Sequence, residues 1–215
     1  MPGLKVENLS VRIMAVEVLR NFSLHLPDAK MVGLVGRNGA GKTTLMRSIM
    51  GHLAVQSGSI LFDDLPLHKA QRHVRAELGI GYMPEDRGLV PELTVEENIL
   101  IPVWVSKTLQ AKDRLDFVYG ILPELLEMKG RRALLLSGGQ QKLVALARAL
   151  AVGTRMLLLD EPFEGVAPAL SERLADVLAG LKAHSLSVLI SQSDVNHSGD
   201  LLDQTVVIER GANVA

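Results

Sequence analysis

A glycine-rich loop lodged between an apolar strand and a helix constrains this chain more than any other feature. Met31 to Val35 reads as a buried strand, and Thr43 to His52 as a helix with Gly51 near its end. Between them runs Gly36-Arg37-Asn38-Gly39-Ala40-Gly41-Lys42-Thr43, followed by Thr44. Glycine permits the positive φ values that let successive N–H groups turn inward toward phosphate oxygens. Lys42 adds a mobile charge for the β- and γ-phosphates, and Thr43 a hydroxyl for Mg²⁺. The helix that follows points its N-terminal dipole at the anion. Residues 36–44 are therefore the candidate site for a nucleoside triphosphate.

The rest of the chain supplies the sheet this loop requires. Val6 to Val11 and Phe22 to Leu26 read as strands, the second ending at Pro27. Ser59 to Phe62 is a strand before the turn residues Asp63-Asp64, His68 to Leu78 a helix, and Ile80 to Met83 a strand. Leu93 to Ala151 is mostly helical. Thr94 and Glu97 have the spacing of a capping box at its start, and Leu109 to Met128 continues as helix around Pro123. Strand and helix then alternate: Met156 to Leu159, Ala169 to His184, Ser187 to Ser191, and Gln204 to Glu209 before Gly211. This order predicts an α/β P-loop NTPase core with a mostly parallel sheet, N-terminal antiparallel strands and an inserted helical lobe. The expected division within one domain is a core of 1–86 and 152–215 and a lobe of about 87–151.

Composition closes off other classes. At 215 residues the chain can bury roughly 70% of its unfolded surface without staples, and it has no cysteine for disulfides or thiolate metal sites. A net charge of −1 advertises no basic face for nucleic acid. No apolar run approaches the ~20 residues that span a bilayer, and no signal-like start is evident, so a cytoplasmic location is expected. Apolar residues make up 47% of the chain but aromatics only 3%, which leaves aliphatic surface for docking as well as core.

Two further runs carry chemistry. Met156-Leu157-Leu158-Leu159-Asp160-Glu161 brings a carboxylate pair to the C-terminal end of a buried strand, the edge where α/β sheets bind ligands. Asp160 is the candidate Mg²⁺ partner and Glu161 the candidate general base for the water that attacks the γ-phosphate. Ser137-Gly138-Gly139, with Gln140, opens a second helix that Ser137 can cap. The chain's own phosphates are already held, so this second helix end suits the phosphate of a partner chain bound in trans, although a plain capped helix has the same sequence.

With these motifs in this order, the chain resembles the ATP-binding subunit of an ABC transporter over nearly its whole length. Within that family it is most similar to the ATPases of branched-chain amino acid importers. That resemblance rests on Tyr82-Met83-Pro84-Glu85-Asp86-Arg87, Leu93-Thr94-Val95-Glu96-Glu97-Asn98 and Asp160-Glu161-Pro162-Phe163-Glu164-Gly165-Val166-Ala167-Pro168. It implies ATP and Mg²⁺, with two ATPase subunits, identical or different, closing head to tail. It also implies transmembrane permease subunits, a periplasmic or extracellular solute-binding protein, and a peripheral position on the cytoplasmic face of the inner or plasma membrane.

The resemblance places Glu85 where the family usually has a metal-sensing glutamine, and Gln192 where it has a switch histidine. Gln192 can donate an amide N–H but cannot carry an imidazolium's charge. His197, a little further on, reads as a surface residue. Ile13 and Arg12 stand where the family stacks an aromatic ring on adenine, which predicts weak base selectivity. Leu89, Val90, Leu93, Ile101, Val103, Trp104 and Val105 either fill the lobe's own core or receive a coupling segment of the membrane subunit. The alternatives are a lipid or lipopolysaccharide exporter ATPase, suggested by Phe163 to Val166 and Ser187 to Ile190, and a catalytically weak partner subunit.

Overall fold

The computed structural model describes residues 3–194 and 199–214. Two long strands open it, β1 (Gly3–Ile13) and β2 (Val16–Pro27), followed by β3 (Met31–Val35) and the helix α1 (Lys42–Ile49). Next come β4 (Ser57–Phe62), β5 (Leu65–Pro66), the short helix α2 (Val74–Glu77) and β6 (Ile80–Met83). The helical stretch holds α3 (Val95–Trp104), α4 (Ala111–Ile121) and α5 (Gly138–Val152). The chain then alternates through β7 (Met156–Asp160), α6 (Pro168–Leu181), β8 (Ser187–Gln192), β9 (Gln204–Glu209) and β10 (Ala212–Asn213).

The strands form two sheets. One is antiparallel, in the order β2-β1-β4-β5. The other runs β10-β9-β3-β8-β7-β6 and is parallel throughout except at the β9–β10 hairpin. Its central strands bury both faces, which explains their unbroken apolar sequences. Because side chains alternate across a strand, Leu157 and Leu159 enter one apolar cluster while Met156 and Leu158 enter the other. The first cluster also takes in Met83, Ile99, Leu146, Leu150, Leu178 and Ile190. The second joins this sheet to Leu4, Phe22 and Ile60 of the antiparallel sheet and to Leu45 and Met46 of α1. The proposed boundary between core and helical lobe therefore crosses a shared interior, with α5 packed on both β6 and β7.

Two helices differ from expectation. The stretch from His68 to Leu78 is a 3₁₀ turn, Leu67–Lys69, and then α2. The cause is Arg75, only 1% exposed, whose guanidinium takes hydrogen bonds to the carbonyls of Ile49, Leu67, Ala70 and Gln71. Two of those carbonyls, Ala70 and Gln71, belong to the stretch itself, and Leu67 immediately precedes it; all three are turned inward to the guanidinium. The helix expected from Leu109 to Met128 stops at Ile121, and Pro123 opens a 3₁₀ turn to Met128. Proline supplies no N–H and disfavours the helical conformation at the residue before it; Leu122 accordingly takes φ −125° and ψ 65°. The capping box at α3 is complete: Glu97 N–H donates to Thr94 Oγ1 at 3.2 Å, and Thr94 N–H donates to Glu97 Oε2 at 2.8 Å.

Candidate functional site

The loop between β3 and α1 is held at both ends by the sheet. Gly36 N–H donates to the Gln192 carbonyl of β8 at 3.1 Å, and the Ala40 carbonyl accepts from Gly211 N–H, in the β9–β10 turn, at 2.9 Å. Gly41 forms the N-cap of α1 at φ 112°, and a Cβ there would lie 2.9 Å from Leu19 Cδ2. Backbone conformation and space both demand glycine. The first N–H groups of α1 have no acceptor within the helix and face the loop's concavity. Asn38, Gly39, Gly41, Lys42, Thr43 and Thr44 line a pocket of about 290 Å³ with Val18, Glu85 and Glu161. Arg37 and Ala40 lie on the loop's other side, beside Gly36 and residues 207–210.

Lys42 is the central cation. Its ammonium donates to the carbonyls of Gly36 and Arg37 and stands 3.0 Å from Glu161 Oε1. Both side chains are nearly closed to solvent, at 5% and 7% exposure. A buried pair of this kind survives only with further hydrogen bonds, and the loop carbonyls provide them on the lysine side. On the other side, Ser193 Oγ lies 3.2 Å from Glu161 Oε1 and 2.9 Å from Asn38 Oδ1, and its single hydrogen is shared between them.

Asp160 ends β7 fully buried. Its Oδ1 accepts from Ser191 Oγ at 2.6 Å and its Oδ2 from Tyr82 Oη at 3.4 Å. Burial pushes its carboxyl up from the ordinary value, opposed by the hydrogen bonds of Ser191, Thr43 and Tyr82 and by the charge of Lys42. Burial, together with that carboxylate, pushes the Tyr82 phenol upward, so it stays a donor. Glu85 is raised as well, first by desolvation and then by the negative charges of Asp160, Glu164 and Glu161, with a hydrogen bond from Thr43 opposing. The Asp160 and Glu85 carboxyl groups beside the Thr43 hydroxyl make a place for a cation.

Among the described residues, no group of three or more His, Cys, Asp or Glu could hold a metal by itself. Mg²⁺ needs no such cage: it takes one or two protein oxygens and completes its shell with phosphate and water. Thr43 and Asp160, with Glu85 beside them, fit that requirement. A bound Mg²⁺ would neutralise charge on the phosphates, and the protein's share is to orient the hydroxyl and carboxylate toward it.

Gln192 closes β8 and is buried; its side of the site is a pocket of about 280 Å³ shared with Asn38, Glu161, Phe163, Glu164, Ser193 and Asp194. The phosphate loop, Asp160, Glu161, Glu85 and Gln192 thus meet in one place. Ile13 stands at the tip of the β1–β2 hairpin, 39% exposed, and Val18 lines the phosphate pocket. His197 lies outside the described residues. Sequence reasoning missed Val18, Ser191, Ser193 and Tyr82. Ser191 could have been found from the β7–β8 alternation, which aligns it with Asp160 across the sheet.

Ser137, Gly138, Gly139 and Gln140 are elsewhere. Ser137 caps α5, accepting from Gln140 N–H at 3.3 Å, while Gln140 Oε1 accepts from Ser137 N–H at 3.0 Å. Ser137 and Gly138 are exposed. This helix end faces outward and does not line the chain's own phosphate pocket. A larger cavity, about 660 Å³, lies between Arg47, His52, Tyr82, Glu85 and Arg148. Of the apolar residues singled out nearby, Val103 is buried in the core, while Trp104 is 56% exposed. The core reading of that run therefore holds for Val103 and not for Trp104.

A phosphate loop on a parallel sheet, with paired carboxylates at the neighbouring strand's end, defines a P-loop ATPase. More narrowly, the chain belongs to the ABC transporter family, whose model matches residues 19–164. It is an ATP-hydrolysing subunit of that family. It is 31% identical, over 99% of its length and 89% of the relative's, to the lipopolysaccharide export system ATP-binding protein LptB of Haemophilus influenzae. It is 30% identical, over 97% of its length and 89% of the relative's, to the probable branched-chain amino acid transport ATP-binding protein LivF of Archaeoglobus fulgidus. Among solved structures, the ADP conformation of MJ1267, an ATP-binding cassette of an ABC transporter, superposes with a TM-score of 0.83 at 27% identity. That match covers 100% of this chain and 90% of the other.

Proposed function

We propose that this chain is the motor of a membrane transporter, working as one of two ATPase subunits that close over ATP. Glu161 accepts the proton of the attacking water, Lys42 and the loop amides hold the phosphates, and Thr43 and Asp160 hold Mg²⁺ with Glu85 near. Gln192 donates to the γ-phosphate, and Ile13 with Val18 packs against the base. The carrying observation is the separation of two helix N-termini: one lies over its own phosphate pocket, the other faces outward, capped and exposed, where only a partner's nucleotide can meet it. The partner is a second copy or a related subunit. Permease subunits hold the pair at the cytoplasmic face of the membrane, where no helix of the described residues is long and apolar enough to cross.

For cargo, we favour import of branched-chain amino acids or similar small polar solutes, delivered by a solute-binding protein. Glu85, Gln192 and the Glu164–Pro168 run support it, being the residues that resemble those importers. Export of a lipid or lipopolysaccharide is the second reading, favoured by the similarity to LptB. Light scattering after size exclusion tests the motor. The Glu161→Gln variant is expected to pass from monomer to dimer on adding Mg-ATP, and a persistent monomer would point to an obligate, different partner. Cargo is decided by reconstituting the co-purified membrane complex in proteoliposomes: leucine uptake supports import, and lipid release to an acceptor replaces it with export.

A further inference from the structure

Lys142 is a buried cation that the proposed reaction does not use. It lies on α5, one turn beyond Gly138 and on the same face, and is 4% exposed. No carboxylate pairs with it in a salt bridge among the described residues. Its ammonium instead donates to two main-chain carbonyls, Glu161 O at 2.8 Å and Glu164 O at 2.5 Å. Those carbonyls bracket a tight turn, in which Glu164 N–H also donates to Glu161 O at 3.2 Å. Glu161 itself is held at φ 49°, in the left-handed region that a glutamate rarely enters. Burying an ammonium is costly unless its donors are well placed, and an apolar side chain would fill this space more cheaply.

Resting on the two-chain reading above, we infer that Lys142 is a positioning residue that couples the two nucleotide sites of the assembled pair. The N-terminus of α5 serves the partner's nucleotide, whereas the turn from Glu161 to Glu164 serves the chain's own. Lys142 is the direct tie between them. A shift of α5 when the partner's phosphate arrives is passed through one side chain to the backbone that aims Glu161. A second tie leaves the same helix further along: Arg148 donates to the carbonyls of Arg87 and Gly88, in the loop that carries Glu85. That tie reaches the metal side and leaves the base to Lys142.

The test compares full-length wild type, Lys142→Met, which keeps the bulk and removes the donors, and Lys142→Gln, which restores an amide donor. Steady-state phosphate release is measured across ATP concentration, with binding of a fluorescent ADP analogue and thermal unfolding in parallel. A base displaced by about an ångström costs on the order of 10²-fold in rate, so kcat of Lys142→Met is expected to fall by about that factor. KM, ADP affinity and Tm should hold, and Lys142→Gln should recover part of the rate. The Hill coefficient, above about 1 in wild type, should drop to about 1 in Lys142→Met. Unchanged kcat overturns the inference. So does a joint loss of kcat and Tm without rescue by Gln, which would mark simple structural support. A Hill coefficient that is equal in wild type and variant removes the coupling. A Glu161→Gln chain that pairs on adding Mg-ATP with neither a second copy nor a co-purified subunit would instead sink the two-chain reading itself, whatever Lys142 does.

Discussion

At the scale of single residues, the site is organised around the contact of Lys42 with Glu161. Each neutralises the other, so phosphate oxygens that take the lysine leave the glutamate free to meet water. Replacing Glu161 by Gln removes a general base, and phosphate release should slow by about 10²–10⁴-fold. The same change frees Lys42 from its carboxylate, so a fluorescent ADP analogue should bind more tightly to the variant than to wild type. Base recognition should be loose, because the aliphatic groups of Ile13 and Val18 offer no hydrogen bond that tells adenine from guanine. GTP turnover comparable to ATP turnover is expected, and a strong preference for ATP would overturn this. Lys42, Thr43, Asp160 and Glu161 were legible in sequence because their spacing is set by one loop and one strand end. Val18 and Ser193 were not: one comes from β2 and the other from just after β8, and no spacing rule marks either; Ser191 is marked only by its register opposite Asp160.

At the scale of elements, strands were easier to place than helices. The central strands announced themselves as unbroken apolar runs, since a parallel strand covered on both faces leaves no polar position. The stretch from His68 to Leu78 read as helix because its composition favours one, yet Arg75 turned inward two of its carbonyls and that of Leu67 just before it, and broke it. That arginine also caps the end of α1 through the Ile49 carbonyl at 3.0 Å. Arg75→Met should leave the Ile49 and Ala70 carbonyls short of a donor, while those of Leu67 and Gln71 keep the N–H groups of Ala70 and Val74. At about 1–3 kcal/mol for each acceptor left buried and unsatisfied, the loss should exceed that of an average substitution. A urea titration would read it as a lower midpoint with an unchanged slope; an unchanged midpoint would show that the carbonyls find water.

At the scale of the whole molecule, remote segments hold the sheet in register. Asp203 Oδ2 accepts from Met31 N–H at 2.8 Å, Asp203 N–H donates to the Met31 carbonyl at 2.8 Å, and Lys30 lies 3.5 Å from Asp203 Oδ1. The Met31 amide first, then Lys182 and Lys30, hold this carboxyl below its ordinary value against some desolvation. A carboxyl with a depressed folded pKa stabilises fully above its unfolded value and loses that contribution as pH falls through the folded one. Wild type should therefore be more stable than Asp203→Asn near neutrality. The gap in urea midpoint should close below about pH 4, and a gap independent of pH would show that the charge contributes nothing.

The turn between β9 and β10 extends this long reach to the phosphate loop. Gly211 N–H donates to the Ala40 carbonyl, and the Gly211 carbonyl accepts from Arg20 N–H at 2.8 Å. Asn213 completes the stitch, its side-chain amide pairing with the main chain of Ser23 in both directions at 2.8 Å. During synthesis, the loop that grips phosphate leaves the ribosome long before the residues that brace it. A nascent chain lacking Gly211 holds every residue of the phosphate grip but not the brace on its backbone. Tight nucleotide capture is then acquired only once the β9–β10 turn has been made and has closed on the loop.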